Sequence, residues 1–538
     1  MKRYIRTGFL GLASALMLTS CLNDLDQFPI DPDSFTEQNV FASADEAKGA
    51  LAKLYASLAL TGQQGPTGQP DITGVDEGST QFTRALFYMQ ELTTDNAILA
   101  WNDAGAPDFH SLNWTSSNVF VEAMYYRLGQ QVSFTNSFIA NAAALSADSE
   151  VQAYIAEARF LRAYAYLSLL DMFGNVPLVT QVQSELPSQS SRRDIFNFVE
   201  SELIAIESEL KPARTNEYGR VDAVAAQALL SRLYLNAQVY IGEDRYTDCI
   251  TYANKVIASS YSLNTTDGNG NGTAYDELFL ADNDTNGAQN EFIFALNFDG
   301  INSRTWGGTA FLIHGATGGS MNPAPLGVNG GWGGMRATKE MVMKFPASAT
   351  NAAGEPTAWN DKRAMFYTSG QTYEISSVAI FTEGYALTKF KNVTTAGVAG
   401  KDPAGDFPDT DLPIIRLAEI YLNYAEAVLR GGSGGDAATA LGYVNQLRQR
   451  GYGNASGNIT AAQLTLDFVL DERARELYWE GFRRSDLIRY NRFTTGDYLW
   501  TFKGGSANGA SVGAYRRLFP IPANAILTNR NLTQNDGY

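Results

Sequence analysis

Trp101 stands between Ala100 and the pair Asn102-Asp103, just ahead of the segment Ala104-Gly105-Ala106-Pro107. A core indole ordinarily sits in an apolar, periodic run, whereas this one lies where turn-forming residues bring the chain to the surface. An exposed indole needs a flat apolar partner. Sugar rings present apolar C–H faces and polar edges, so a sugar site wants aromatic platforms rimmed by Asn, Asp, Arg or Gln. Asn102 and Asp103 supply possible hydroxyl partners, and Asp76 and Arg84 lie a short way upstream. Each has an alternative reading. Asn102 and Asp103 are equally turn-forming Asx residues, and Arg84 could serve a structural ion pair.

Other chemistries are poorly supplied. The only histidines are His110 and His314, too few for the usual nucleophilic or metal centres. Glu472, Glu476 and Glu480 share one helical face and could suggest a glycoside hydrolase, which needs two carboxylates about 5 to 9 Å apart. Yet Asp471 with Arg475, and Glu480 with Arg484, are acid-first pairs at i,i+4, the ordinary pattern of an exposed helix. The reading is therefore structural, and no enzyme is expected. Asp282-Asn283-Asp284-Thr285-Asn286-Gly287 begins like a calcium loop, but its twelfth position is Ile293 where a bidentate glutamate is required. No cofactor is expected, with structural calcium a minor alternative to a polar turn.

The elements that must hold these residues read as helices at both ends of the chain. Ser43 and Glu46 form a capping box ahead of an apolar helix running to Leu60. Ala156, Phe160, Ala163, Leu167 and Leu170 form a helical stripe, as do Ala226, Leu230, Leu233, Ala237 and Tyr240 behind the cap Asp222. Leu417, Tyr421, Tyr424 and Val428 form a third, and Leu470, Ala474, Leu477 and Gly481 a fourth. Small and aromatic residues share these stripes, which suits close antiparallel helix packing. The middle differs: residues 261–340 hold 15 glycines, and the helical period disappears. Glu291 to Phe298 reads as a buried strand. Loops on a rigid scaffold are where binding usually resides.

The compartment follows from the N-terminus. Lys2, Arg3 and Arg6 precede an uncharged run from Gly8 to Leu18 and then Leu18-Thr19-Ser20-Cys21, a secretory signal. The run is too short to span a bilayer, and no later segment is long and apolar enough. The leucine-small-small-cysteine ending resembles the lipobox of bacterial lipoproteins, which makes Cys21 the lipidated residue. Cys249 would then be the one remaining cysteine, leaving no intrachain disulfide. The net charge is −17, and removing the basic leader makes it more negative. Such a surface does not attract nucleic acid or anionic lipid and suits a neutral or cationic ligand.

The segments Ala156–Val179, Pro413–Arg430, Ala440–Gly453, Leu470–Phe493 and the terminal RRLFPIPANAILTNRNLTQNDGY closely resemble the SusD/RagB family, in that family's order and across essentially the whole chain. The resemblance implies a mainly α fold: four tetratricopeptide-like helix pairs in a superhelical scaffold, with an irregular region of loops and short strands packed on it. The chain then divides into a signal peptide (1–20), a lipidated tether (21–40), a helical scaffold with N-terminal binding loops (41–260), a Gly-rich region (261–410) and C-terminal repeats completing one intertwined domain (411–538). It further implies a lipoprotein anchored at the outer-membrane surface. Its partner would be a SusC-like TonB-dependent transporter, and its cargo an oligosaccharide or, in some branches, a peptide. Starch-binding members resemble the arrangement of Asp76, Arg84 and Trp101, whose platform is completed by aromatics of the glycine-rich middle. Trp306, Trp332 and Phe298 are the candidates here. Trp306 precedes Gly307-Gly308 and Trp332 is flanked by glycine pairs, so each could be exposed for binding or packed within its loop. A bent platform would favour a curved α-glucan such as starch.

Overall fold

A computed structural model describes residues 41–538, so the signal, the tether and the lipidation residue Cys21 lie outside the described residues. Helices begin where side chains can satisfy their free backbone donors. Ser43 caps α1 (Ala44–Ala59), accepting from the Glu46 N–H while its hydroxyl donates to the Glu46 carboxylate at 2.9 Å. Gln81 caps α2 (Phe82–Gln90), which leads into the short strand β1 (Ile98–Leu99). Asn118 caps α3 (Val119–Ala142) and Asp148 caps α4 (Ser149–Met172). Ser191 and Asp194 close a capping box on α5 (Arg192–Ile206), and Asp222 caps α6 (Ala223–Leu235). The predicted stripe through Tyr240 is broken at Asn236, whose side-chain amide donates back to the Arg232 carbonyl at 2.9 Å. A short helix, Ala237–Ile241, carries the rest.

Helix α7 (Tyr246–Ile257) precedes the glycine-rich middle, in which β2 (Phe292–Leu296), α8 (Gly308–Ala316) and β3 (Met335–Arg336) are the elements that matter for the site. β2 is buried throughout, as its sequence predicts, and pairs antiparallel with β4 (Leu412–Arg416), setting Leu296 opposite Leu412 and Phe292 opposite Arg416. Helices α9 (Leu417–Leu429), α10 (Ala437–Tyr452) and α11 (Leu466–Leu477) follow. Successive helices α3 to α7 pack on their neighbours, α7 packs on α9, and α9 on α10 and α11, so the protein is predominantly helical with a minor, irregular strand region. Among the described residues no helix is long and apolar enough to cross a membrane. Cys249 is a buried free thiol whose pKa burial pushes up to about 12.

The acid-first pairs on α11 prove not to mark an exposed face. Glu472 and Glu476 are fully buried, and Arg475 and Arg484 nearly so. Arg475 pairs with Glu472 at 2.8 Å rather than with Asp471, and Arg484 lies 3.7 Å from Asp171 rather than on Glu480. Arg416, at the end of β4, reaches Glu291 at 3.0 Å, Glu476 at 2.6 Å and Glu480 at 2.7 Å. Arg363 holds Asp361, Glu472 and Glu476, Arg448 holds Glu472, and Arg450 joins Glu291 to Glu476. The i,i+4 pattern misleads because these guanidiniums come from distant segments. Stripped of water, each carboxylate needs a nearer and better aligned cation than its helical neighbour offers.

Candidate functional site

A two-residue ladder builds the centre of the site. Ile98 pairs with Arg336 and Leu99 with Met335, and the Ala100 N–H continues the ladder to the Gly334 carbonyl at 2.8 Å. The next residue, Trp101, is thereby laid against the loop 332–334, and its indole N–H donates to the Trp332 carbonyl at 3.0 Å. A Cβ on Gly334 would stand 2.6 Å from the indole, so the glycine is a spatial requirement. Trp101 is half-buried, with Phe311 of α8 packed edge-on at 6.0 Å.

From there three indoles run in order. Trp101 and Trp332 have ring centroids 6.2 Å apart with planes tilted by 43°, and Trp332 and Trp306 are 6.0 Å apart tilted by 57°. All three are half-buried, and Phe407 backs the far end, 4.6 Å from Trp306. The tilts mean that no single plane can lie flat on all three rings. Indoles held apart at these angles gain little from stacking on one another and keep their faces for a ligand.

The polar candidates take different places. Arg84 is buried, with its guanidinium carbon 5.3 Å from the Trp101 ring centre and 5.0 Å from that of Phe311. It lies 3.9 Å from exposed Asp76 and donates to the Tyr88 hydroxyl at 3.3 Å, while its Nε has no hydrogen-bond partner. Arg84 thus supports the indole from behind. Asp76 spends its carboxylate on Ser79, accepting from the hydroxyl at 2.5 Å and the N–H at 3.2 Å. Asn102 and Asp103 are exposed beside the indole. Phe298 is not brought into the arc: its ring is buried, packed so closely under Gly308 that a Cβ there would meet it at 2.4 Å.

Sequence reasoning missed the residues that fix the arc. The buried carboxylate of Glu77 accepts from the Trp306 N–H at 2.9 Å, and the Gln81 side chain accepts both the Arg84 N–H at 3.1 Å and the Gly308 N–H at 2.8 Å. One glutamine thus caps α2 and docks the start of α8 upon it. His314 stacks on Trp332 with centroids 4.9 Å apart and planes 12° from parallel. Its ring nitrogens face the carbonyls of Gly330 at 2.7 Å and Asp406 at 3.0 Å, and burial lowers its pKa below the usual 6.5. A lone histidine in an apolar run gives no sign of this role; only its spacing on α8 from Phe311 hints at it.

Among the described residues no three His, Cys, Asp or Glu side chains group to hold a metal. In the loop suggested for calcium, Asp282 accepts the Thr395 N–H with both oxygens at 3.0 Å, and the Asn283 amide donates to the Leu278 and Asp411 carbonyls.

Comparison with known proteins gives a consistent picture. Residues 290–538 match the model described as the SusD family, and residues 72–235 match one described as starch-binding, associating with the outer membrane. The chain is 36% identical to the starch-binding protein SusD of Bacteroides thetaiotaomicron, over 100% of this chain and 99% of that one. Among solved structures, a SusD superfamily protein of the same organism is similar with a TM-score of 0.68 at 21% identity, covering 92% of this chain and 99% of that one. A surface glycan-binding protein A from Bacteroides fluxus is similar with a TM-score of 0.69 at 20% identity, covering 92% and 100%. These last two likenesses concern the fold.

Proposed function

The chain belongs to the SusD/RagB family, and on that premise we propose that it is a cell-surface lipoprotein capturing oligosaccharide, best fitted by a starch-type α-glucan, for a SusC-like TonB-dependent transporter. The observation that carries the reading is the tilted arc of Trp101, Trp332 and Trp306. A flat, straight glycan can stack on one or two of these rings, whereas a curved chain can turn its successive faces toward all three. The starch-binding character of the full-length relative supports the same ligand class. Asn102 and Asp103 supply exposed hydrogen-bonding groups at the rim, and Cys21 supplies the lipid anchor. Helix pairs α3/α4, α5/α6, α7/α9 and α10/α11 are the four tetratricopeptide-like repeats of this reading, the last pair joined by Arg448–Glu472 and Arg450–Glu476.

The protein binds and does not cleave. Glu472, Glu476 and Glu480, the carboxylates a hydrolase would have used, are buried and each held by a guanidinium. The test is calorimetry of the soluble chain with malto-oligosaccharides, cello-oligosaccharides and short peptides. Expected are micromolar to millimolar binding of the malto series, loss of that heat in Trp101→Ala, and no release of reducing ends. Heat with peptides and none with any glycan would overturn the sugar reading in favour of a peptide-capturing RagB-like protein.

A further inference from the structure

Upstream of the loop considered above, Asp267-Gly268-Asn269-Gly270-Asn271-Gly272 places oxygen-bearing side chains at its first, third and fifth positions and glycine at its sixth. That is the positional rule of a calcium loop. The backbone obeys it. The Asp267 carboxylate accepts the N–H groups of Asn271 at 3.1 Å and Gly272 at 2.8 Å, closing the turn from the first position to the sixth. Asn269 Oδ1 accepts the Asn271 N–H at 3.1 Å, and Asn271 Oδ1 accepts the Thr273 N–H at 3.1 Å. Gly270 and Gly272 take the left-handed backbone that the turn needs, at φ of 72° and 93°.

Turn geometry alone would be only a turn. What points to a ligand is Asp276. It is 2% exposed, its Oδ2 receives the side-chain amides of both Asn269 at 2.9 Å and Asn271 at 2.5 Å, and its Oδ1 is buried with no hydrogen-bond partner. A carboxylate oxygen stripped of water and left unpaired is costly unless a cation or donor meets it. The neighbouring Glu277 is already engaged, accepting from the Asn269 N–H at 2.9 Å and the Thr395 hydroxyl at 2.7 Å.

We propose that residues 267–276 form a calcium site distinct from the aromatic arc. Asp267 and Asp276 supply carboxylate oxygens, and Asn269 and Asn271 supply amide oxygens that each keep a second lone pair. Thr273 supplies the main-chain carbonyl of the seventh position, and water completes the shell. The twelfth position, where a helix–loop–helix calcium site has its bidentate glutamate, is Leu278. Asp276, two residues earlier, takes that role. Amide-rich, irregular oxygen ligation suits calcium, whereas magnesium demands a near-octahedral shell and sheds water reluctantly. Asp267, Asn269 and Asn271 are solvent-exposed, which leaves the ion an entry path. The loop is tied to the turn ending α10: the Thr273 hydroxyl donates to the Arg450 carbonyl at 2.8 Å, and Gly453 must be glycine to admit the Gly272 carbonyl. Arg450 in turn belongs to the buried ion lattice, so calcium here stabilises the fold and leaves glycan affinity unchanged.

The test is calorimetric titration of EDTA-treated, desalted protein with calcium chloride, together with thermal unfolding in millimolar calcium or magnesium. Expected are one site with a dissociation constant on the order of 10⁻⁴ to 10⁻³ M, the range of extracellular two-carboxylate sites, and a Tm rise with calcium that magnesium does not match. Asp267→Asn and Asp276→Asn should each abolish that rise. Should Asp276→Asn fail to fold, the exposed Asp267→Asn decides alone. Absence of heat and of any Tm rise in the unaltered protein, an equal rise with magnesium, or a calcium response surviving in Asp267→Asn would each overturn the proposal.

Discussion

The indole arc and the arginine–carboxylate lattice are built on opposite plans. The lattice satisfies itself: Arg416 alone meets Glu291, Glu476 and Glu480, all within 3.0 Å, and nothing in it faces water. The arc is deliberately unsatisfied, its three rings half-exposed and tilted past one another while the polar work is done underneath by Glu77, Gln81, Arg84 and His314. The difference teaches how the two tasks separate. A scaffold spends its charges on itself, whereas a capturing surface must keep its faces free and therefore be held in place by neighbours that never touch the ligand.

Breaking the lattice should have the largest effect. Arg416→Ala leaves three buried carboxylates short of a partner, and loss of one member of such a buried set costs about 3–5 kcal/mol. Urea unfolding should show that loss; full stability with lost glycan binding would undo the separation of roles. Next comes the arc itself. Trp101→Ala, and Gly334→Val through the Cβ clash with the indole, should each weaken malto-oligosaccharide binding at least tenfold, about 1.4 kcal/mol, with little change in Tm.

Acid should separate the two regions without a mutation. Arg489 beside Glu426 holds its carboxyl down at about 2, and Asp95, Glu472 and Glu476 are likewise lowered by arginine and lysine partners despite their burial. Groups lowered in the fold contribute stability that is present above the unfolded value near 4.5 and lost as pH falls through the folded one. Burial raises Glu91 and Asp411 to about 7, and these act oppositely, losing their contribution as pH rises through about 7. The lowered groups outnumber the raised ones, so Tm measured against pH should fall steeply below about 4.5, while glycan binding holds until unfolding begins. The smallest effect is expected at the rim. Asn102→Ala removes one exposed hydrogen-bonding group and should cost about 0.5–1.5 kcal/mol of binding, read by the same calorimetry.

Most of the helical frame was legible in the sequence because its signals are local. Ser43, Asp222 and the stripe from Ala156 to Leu170 announce caps and faces within one or two turns of themselves. Trp101 was legible for the same reason, as an indole among turn residues. The lattice was not. Arg416 lies 60 residues from Glu476 and Arg450 lies 159 from Glu291, so the nearer i,i+4 partners on α11 gave the wrong picture of an exposed helix. Phe298 was placed in the arc by its aromatic type, but the close approach of Gly308 draws the ring inward. Glu77, Gln81 and His314 carry no pattern at all, since their roles exist only once α2, α8 and the loop around 330 have met. The calcium loop shows the converse. Its spacing was present in the sequence, but only the orphaned oxygen of Asp276 separates it from an ordinary turn.

The ladder of β1 and β3 joins residue 101 to residue 332 through two strand residues and one further hydrogen bond, across 231 positions of chain. Contacts so distant in sequence close late in folding, after the local helices have formed. A truncated, clipped or half-translocated molecule therefore offers no platform at all. Competence to bind becomes a certificate of completed folding, so that a chain which holds its sugar has, by that act, passed inspection.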